Sequence, residues 1–235
     1  MMDLSRTVSL IGEENLRKIQ SSRVLLFGVG GVGSFIAEAL IRSGINRLTI
    51  VDGDIVSPSN LNRQLLSTSK NVGEVKVDVL KERLNLINPQ AEISAINLFF
   101  LPENSNEIDF SEFDYVIDAI DTVTAKIEII KKAKENNVPV ISSMGTGGKT
   151  DITKLRVEDI SKTKVCPLAK VMRKELKDRG IKEVKVVYSE ELTESFNAQE
   201  KTPSGRPVPS SMIFVPGAAG LMIAREVIFD LIGKK

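Results

Sequence analysis

Histidine is absent from the 235 residues of this chain. That one absence excludes a Ser-His-Asp hydrolase, a Cys-His protease and any His-ligated metal centre. Cysteine occurs once, at Cys166. A single thiol can form neither an internal disulfide nor a four-cysteine zinc site, and it points to a reducing, cytoplasmic location. The opening Met1-Met2-Asp3-Leu4-Ser5-Arg6 lacks the apolar core of a signal peptide, so none is expected. No apolar run approaches the ~20 residues that span a bilayer, so no membrane partner is expected either. The most apolar stretch, Gly217 to Ile232, carries Arg225, Glu226 and Asp230 and reads as a packed helix. Neither charge dominates, with 32 basic residues against 31 acidic ones. Attraction to a polyanion must therefore come from a local patch. The chemistry falls to carboxylates, lysines, arginines and one thiol, with whatever metal carboxylates can hold.

What is present suits one large domain, or a core domain with an appendage. The chain is 42% hydrophobic and 27% charged, enough for a sizeable core under an ordinary surface. From residue 23 to 142, strand and helix patterns alternate. Arg23 to Phe27 is the continuous apolar run of a buried parallel strand. A glycine cluster follows, then a helical pattern with Phe35, Ala39 and Leu40 on one face. Leu48 to Val51 is a second strand, ended by Asp52. Lys76 to Leu86 has helical spacing and is stopped by Asn88-Pro89. Ala91 to Ile96, Tyr115 to Ile117 and Val138 to Ser142 read as strands, and Thr122 to Glu135 as a helix. This order predicts a doubly wound, mainly parallel α/β sheet.

The character changes after Gly145, which sets the expected division: a core over 1–145, N-terminal helix included, and a C-terminal extension over 146–235. The extension opens on Gly145, Gly147 and Gly148, followed by a strand-like Leu155-Arg156-Val157. From Lys162 to Lys185 there are nine Lys or Arg against three Asp or Glu. Leu168, Val171, Met172 and Leu176 form an apolar helical stripe within it. Ser189 to Ser211 reads as a surface loop.

Gly28-Val29-Gly30-Gly31-Val32-Gly33 matches G-x-G-x-x-G between a strand and a helix. Missing side chains let phosphates approach the backbone, and the helix N-terminus offers free N–H groups and a positive dipole. Asp52 lies 19 residues beyond Gly33, at a strand end where a carboxylate can hold ribose hydroxyls. This Rossmann-like pattern alone does not say which nucleotide. The segment after the second strand decides that: Asp52-Gly53-Asp54 runs on through Asn60 and Arg63, and Lys76 opens the next helix. A dinucleotide enzyme needs no cationic pair beside its ribose carboxylate. An enzyme that cleaves between α- and β-phosphates does, because charge builds on the transferring and leaving oxygens. Asp118-Ala119-Ile120-Asp121 follows the fourth strand, where α/β sheets bind ligands. Asp121 is the candidate ligand for Mg²⁺, with a helix N-cap as its plainer role, and Asp118 reads as a loop-capping or supporting group.

With these residues in place, the chain resembles the superfamily of ThiF, MoeB and HesA adenylating proteins, relatives of the ubiquitin-activating enzymes. The resemblance rests on Gly28 to Gly33, Asp52-Gly53-Asp54, Ser59-Asn60-Leu61-Asn62-Arg63-Gln64, Lys76 and Asp121 in order and spacing. It implies an ATP site in which Gly31 and Asp52 contact the nucleotide and Asn60, Arg63 and Lys76 surround the phosphates, with Asp121 holding Mg²⁺. It also implies a homodimer in which an arginine near the N-terminus, here Arg6, enters the partner's site. Within the superfamily the chain looks most like the tRNA threonylcarbamoyladenosine dehydratase branch. Leu10 to Glu14, Tyr115 to Asp121, Ser161-Lys162-Thr163, Pro167-Leu168-Ala169, Lys185 to Ser189 and Phe214 to Gly217 carry that likeness. It implies a tRNA substrate, an ATP-driven cyclisation, and room for an accessory sulfur-transfer protein.

Three rival readings follow from the same residues. Adenylation of the C-terminus of a small ubiquitin-like sulfur carrier would suit the superfamily, but such relatives usually carry zinc cysteines that this chain lacks. An NAD-dependent oxidoreductase would not need the pair Arg63 and Lys76. A non-enzymatic ATP-binding module is at odds with an intact set of motif residues. Cys166 invites a catalytic reading, because it begins a basic helix whose dipole could activate a thiol. Its plain reading is a small residue at a helix start. The Lys162-to-Lys185 segment is either a solvated face or a surface for tRNA phosphates.

Overall fold

The computed structural model describes residues 2–192 and 210–234. The strands β1 (Arg23–Phe27), β2 (Arg47–Val51), β3 (Glu92–Ile96), β4 (Tyr115–Asp118), β5 (Val140–Ser143), β6 (Leu155–Asp159) and β7 (Lys185–Ser189) form one sheet in the order β3-β2-β1-β4-β5-β7-β6. Every neighbouring pair is parallel except β6 with β7, which is antiparallel at the sheet's edge. Both faces are covered, so the central strands can be apolar throughout: every residue of β4 and β5 is buried.

One face carries α3 (Gly33–Ser43), α4 (Lys76–Ile87) and α7 (Phe214–Leu231), with the short α1 (Ser5–Ile11) and α2 (Glu13–Ser21) broken apart at Gly12. The other carries α5 (Val123–Glu135) and α6 (Pro167–Asp178), over a cluster that includes Phe27, Phe100 and Phe110. Packing of α7 on α3 is close. A Cβ at Gly220 would lie 2.6 Å from the Val32 carbonyl oxygen, so only glycine permits this approach.

The expected α/β architecture is present, with several local corrections. Lys185–Ser189, to which the sequence reading assigned no element, is a strand inserted beside β5. Asp118 is the last residue of β4 and not a loop residue. Phe35 and Ala39 are half-buried, while Ile36, Ala37, Leu40 and Ile41 make the inner face of α3. On α6, Val171 is exposed and Ala169 takes its place beside Met172 and Leu176. Ser189 closes β7, and residues 193–209 of the expected loop lie outside the described residues.

Registers align the carboxyl ends of four strands. Phe27 pairs with Val51 and Asp118, and Asp118 pairs with Ser142. The segments that leave these strands therefore emerge side by side along one edge of the sheet.

Candidate active site

A cleft of about 790 Å³ opens along that edge, lined by the segments after β1, β2, β4 and β5 and by the start of α7. After β1 the chain turns sharply into α3. Gly28 has φ +83°, and a Cβ on it would meet the Ala119 backbone at 2.8 Å. A Cβ at Gly33 would fall 1.8 Å from the Gly28 carbonyl oxygen. These two glycines are demanded by the fold itself. Gly30 and Gly31 are not: a Cβ there would make ordinary contacts, at 3.6 Å with Gln64 and 3.5 Å with Arg63 and Pro216. They leave the cleft floor open at the start of a helix whose N-cap position, Val32, supplies no side-chain cap. Uncapped N–H groups and the helix dipole favour an anion at such a place.

Asp52, just past β2, closes the turn from the other side. Its carboxylate accepts the Val29 N–H at 2.8 Å and the Asp54 N–H at 2.8 Å, and it keeps lone pairs free for a further donor. Asp54 in turn grips Lys76 twice. Its carbonyl accepts the Lys76 N–H at 3.0 Å, and its carboxylate accepts the Lys76 ammonium at 2.6 Å. Lys76 is buried and occupies the first position of α4, where the helix dipole disfavours a cation. Asp54 offsets that cost and aims the lysine. Arg63 is half-buried above Gly31, donating to the Ser59 carbonyl at 2.7 Å and to Asn62 Oδ1 at 3.0 Å. The buried Asn60 side chain accepts the Ser57 N–H at 3.0 Å and sets that loop.

Beyond β4, Asp121 is exposed in the cleft, and its carboxylate makes no hydrogen bond or ion pair among the described residues. The following helix starts at Val123 with Thr122 at the N-cap position and no side-chain cap, so Asp121 does not serve as a cap. Asp118 lies underneath, fully buried, 2.8 Å from the Lys126 ammonium and accepting the Ser142 hydroxyl at 2.5 Å. The same ammonium donates to the carbonyls of Ile120 at 3.0 Å and Ser143 at 2.7 Å. Lys126 thereby ties the segment bearing Asp121 to the end of β5.

The candidates Gly28, Gly30, Gly31, Asp52, Asp54, Asn60, Arg63, Lys76 and Asp121 all line this cleft, with Gly33 behind the glycine turn. Arg6 does not: it is exposed on α1. Cys166 lines the cleft, yet it is buried at the start of α6 with Val165 before it in a positive-φ conformation, φ +62°. Sequence reasoning missed three lining groups and gave a fourth, Gln64, no role beyond its place in the motif. Phe99 and Leu101 are apolar yet exposed, at 63% and 39%, and form a wall beside Gly53. The Gln64 Oε1 is buried and without a partner among the described residues. Lys149 is buried and follows the glycine run after β5. Gln64 stood at the end of the polar run after β2, without a task assigned to it. No spacing rule would have found the others.

The ThiF family model matches residues 3–235 of this chain. The chain is 42% identical over 238 residues to the tRNA threonylcarbamoyladenosine dehydratase of Bacillus subtilis, a match covering 97% of this chain and 94% of that one. Among solved structures it is similar to Escherichia coli tRNA N6-threonylcarbamoyladenosine dehydratase in complex with AMP, with a TM-score of 0.89, 32% identity and coverage of 97% and 93%. The same enzyme in complex with ATP aligns with a TM-score of 0.88 and 31% identity, covering 98% of this chain and 93% of that one.

Proposed function

The chain belongs to the ThiF family, and from that premise we propose that it uses ATP to adenylate a carboxylate: that of the threonylcarbamoyl group on the modified adenosine just 3′ of the tRNA anticodon. The product is the cyclised, dehydrated nucleoside. Relatives that match nearly the whole chain carry that activity in their names, and two similar structures hold AMP and ATP. The single observation that carries the reading is the cleft itself. It sets an open glycine turn between a ribose-competent carboxylate, Asp52, and a free carboxylate, Asp121, with Arg63 and Lys76 alongside.

In this reading the adenine rests on the apolar wall of Phe99 and Leu101, and Asp52 accepts ribose hydroxyls. The phosphates follow Gly28 to Gly33 at the α3 N-terminus. Asp121 suits Mg²⁺, which is held on nucleotides by one or two protein carboxylates together with phosphate oxygens and water. Bound there, the ion would neutralise phosphate charge. A substrate carboxylate oxygen attacks the α-phosphorus, the α–β bridging bond breaks, and pyrophosphate leaves. Arg63 and Lys76 stabilise charge on the transferring and leaving oxygens. A nucleophile within the same substrate then attacks the acyl carbon and expels AMP. The net change is loss of one water from the substrate as ATP becomes AMP and pyrophosphate. Neither a histidine nor a protein thiol is required, because positioning and charge supply the catalysis.

In this reading the working unit is a homodimer in the cytoplasm, and Arg6, exposed on α1 outside its own cleft, reaches the site of a second copy. The extension over 146–235 contributes the tRNA surface. Incubation of threonylcarbamoyl-modified tRNA with protein, ATP and Mg²⁺, followed by nucleoside mass spectrometry, tests the reading. A nucleoside lighter by one water is the expected product, and unchanged nucleoside with active protein overturns it.

A further inference from the structure

Among the described residues, four cations line the cleft or lie directly beneath it, and they differ in what offsets their charge. Lys76 has the carboxylate of Asp54, and the Lys126 ammonium has that of Asp118. Arg63 is half-buried and, among the described residues, has only neutral oxygens as partners. Lys149 is 4% exposed, and its ammonium donates to the carbonyl oxygen of Glu191 at 2.7 Å. Among the described residues no carboxylate oxygen lies within 4.0 Å of it. The Glu191 carboxylate is turned elsewhere, accepting the N–H groups of Thr150 and Asp151 at 3.0 and 2.9 Å. A buried ammonium with one carbonyl partner is costly to keep: burial removes water, and the nearby Glu191 carboxylate, which feels its charge, stays beyond ion-pair distance and is engaged by backbone N–H groups. Such a group is accounted for when an anion arrives beside it.

Its place along the sheet says which anion. The carboxyl ends follow the order β2, β1, β4, β5. Asp52 leaves β2, the glycine turn leaves β1, Asp121 follows β4, and Lys149 follows β5. A nucleotide that spreads from Asp52 across the glycine turn to Asp121 ends one strand short of Lys149. With the leaving pyrophosphate drawn back to Arg63 and Lys76 on the β2 side, in-line displacement brings the attacking oxygen to the α-phosphorus from the opposite side, toward β5. We propose that Lys149 holds the substrate's carboxylate beside the α-phosphate, an assignment that rests on the adenylation reading above. The β5–β6 connection is built to present it. Gly148 takes φ +67° and donates its N–H to the Ser210 carbonyl at 2.7 Å, while Glu191 clamps the two residues after Lys149. The lysine is thus fixed from both sides before any substrate enters.

The experiment compares binding of two tRNAs, one bearing the threonylcarbamoyl carboxylate and one lacking that group, to wild type, Lys149→Met and Lys149→Arg in the presence of a non-hydrolysable ATP analogue. Wild type should favour the carboxylate-bearing tRNA by about ten- to a hundredfold, the range of a charge-assisted hydrogen bond. Lys149→Met should lose most of that preference while its affinity for the ATP analogue stays within twofold, and Lys149→Arg should restore part of it. Preserved preference in Lys149→Met overturns the assignment. So does an equal loss of nucleotide affinity and thermal stability, which would make the lysine a structural strut. Dehydration of the tRNA by wild type is scored separately: its failure sinks the adenylation reading, whereas its success with an unaffected Lys149→Met sinks only this assignment.

Discussion

Arg63 and Asp121 carry opposite charges into one cleft, and both are spared the packing duties of their neighbours. Asp121 is exposed and Arg63, among the described residues, hydrogen-bonds only within its own loop. Arg63→Ala and Asp121→Ala should therefore leave the thermal midpoint nearly unchanged and lower ATP–pyrophosphate exchange by about 100-fold or more, as loss of a preorganised charge at a reacting phosphate does. Near wild-type exchange in either folded variant would remove that residue from the site. Cys166 is the opposite case. Its sulfur packs in the apolar cluster with Met172 and Tyr188, so Cys166→Ser should cost stability, about 1–3 kcal/mol for a buried hydroxyl, and retain most product formation. Adenylation without any cyclised product would show a chemical role for the thiol. At this scale the gathering of these residues into one cleft was legible, because the glycines, Asp52 and Asp121 follow strand ends and Asn60, Arg63 and Lys76 stand in a motif of fixed order. Lys149 was not legible. Its meaning comes from burial and from Glu191, which lies 42 residues away in sequence. Asp118 was misplaced by a single position, which moved it from loop to strand and hid its pairing with Lys126.

The turn from β1 into α3 shows how one element mixes two requirements. Gly33→Ala would drive a Cβ into the Gly28 carbonyl, and neither atom can move without opening the turn. A large fall in thermal midpoint is expected, with ATP binding lost because the fold is lost. Gly30→Ala meets only a flexible side-chain amide at 3.6 Å. It should fold normally, shifting the midpoint by only a degree or two, and weaken ATP binding by at least tenfold. Circular dichroism melts and nucleotide titration separate the two; equal melting losses would refute the division. The motif was readable from sequence, but this split between its glycines was not. The same limit applies to the strands. Arg23–Phe27 announced itself as an unbroken apolar run beside glycines, whereas Lys185–Ser189 has a charged start and a polar end. It becomes a strand because β5 and β6 leave a gap for it. On α6 the stripe erred at Val171 because the helix packs through Ala169, a residue too small to register in a hydrophobic pattern.

Across the whole molecule, a net charge of +1 offers tRNA no general attraction. In the proposed reading docking uses a patch, and α6 is the candidate: Lys170, Lys174 and Lys177 are exposed and unpaired among the described residues. Arg173 is not part of it, because its guanidinium is spent on the carbonyl and hydroxyl of Thr163, both at 2.7 Å. Lys170→Ala with Lys174→Ala should weaken tRNA binding and flatten its salt dependence by up to about one unit of slope per lost contact. ATP affinity should not change. A salt titration with identical slopes for wild type and double variant would move the docking surface off α6.

The pairing of α7 with α3 has a consequence in time. Glycine at position 220 lets a helix made near residue 220 cover one that begins at Gly33. At typical synthesis rates of about 5–20 residues per second, α3 waits roughly ten seconds or more for its lid. Over that interval the inner surface of a finished nucleotide turn is bare. A nascent chain stalled before Phe214 should therefore be a client for chaperones, and release of the last helix should be the event that ends that dependence.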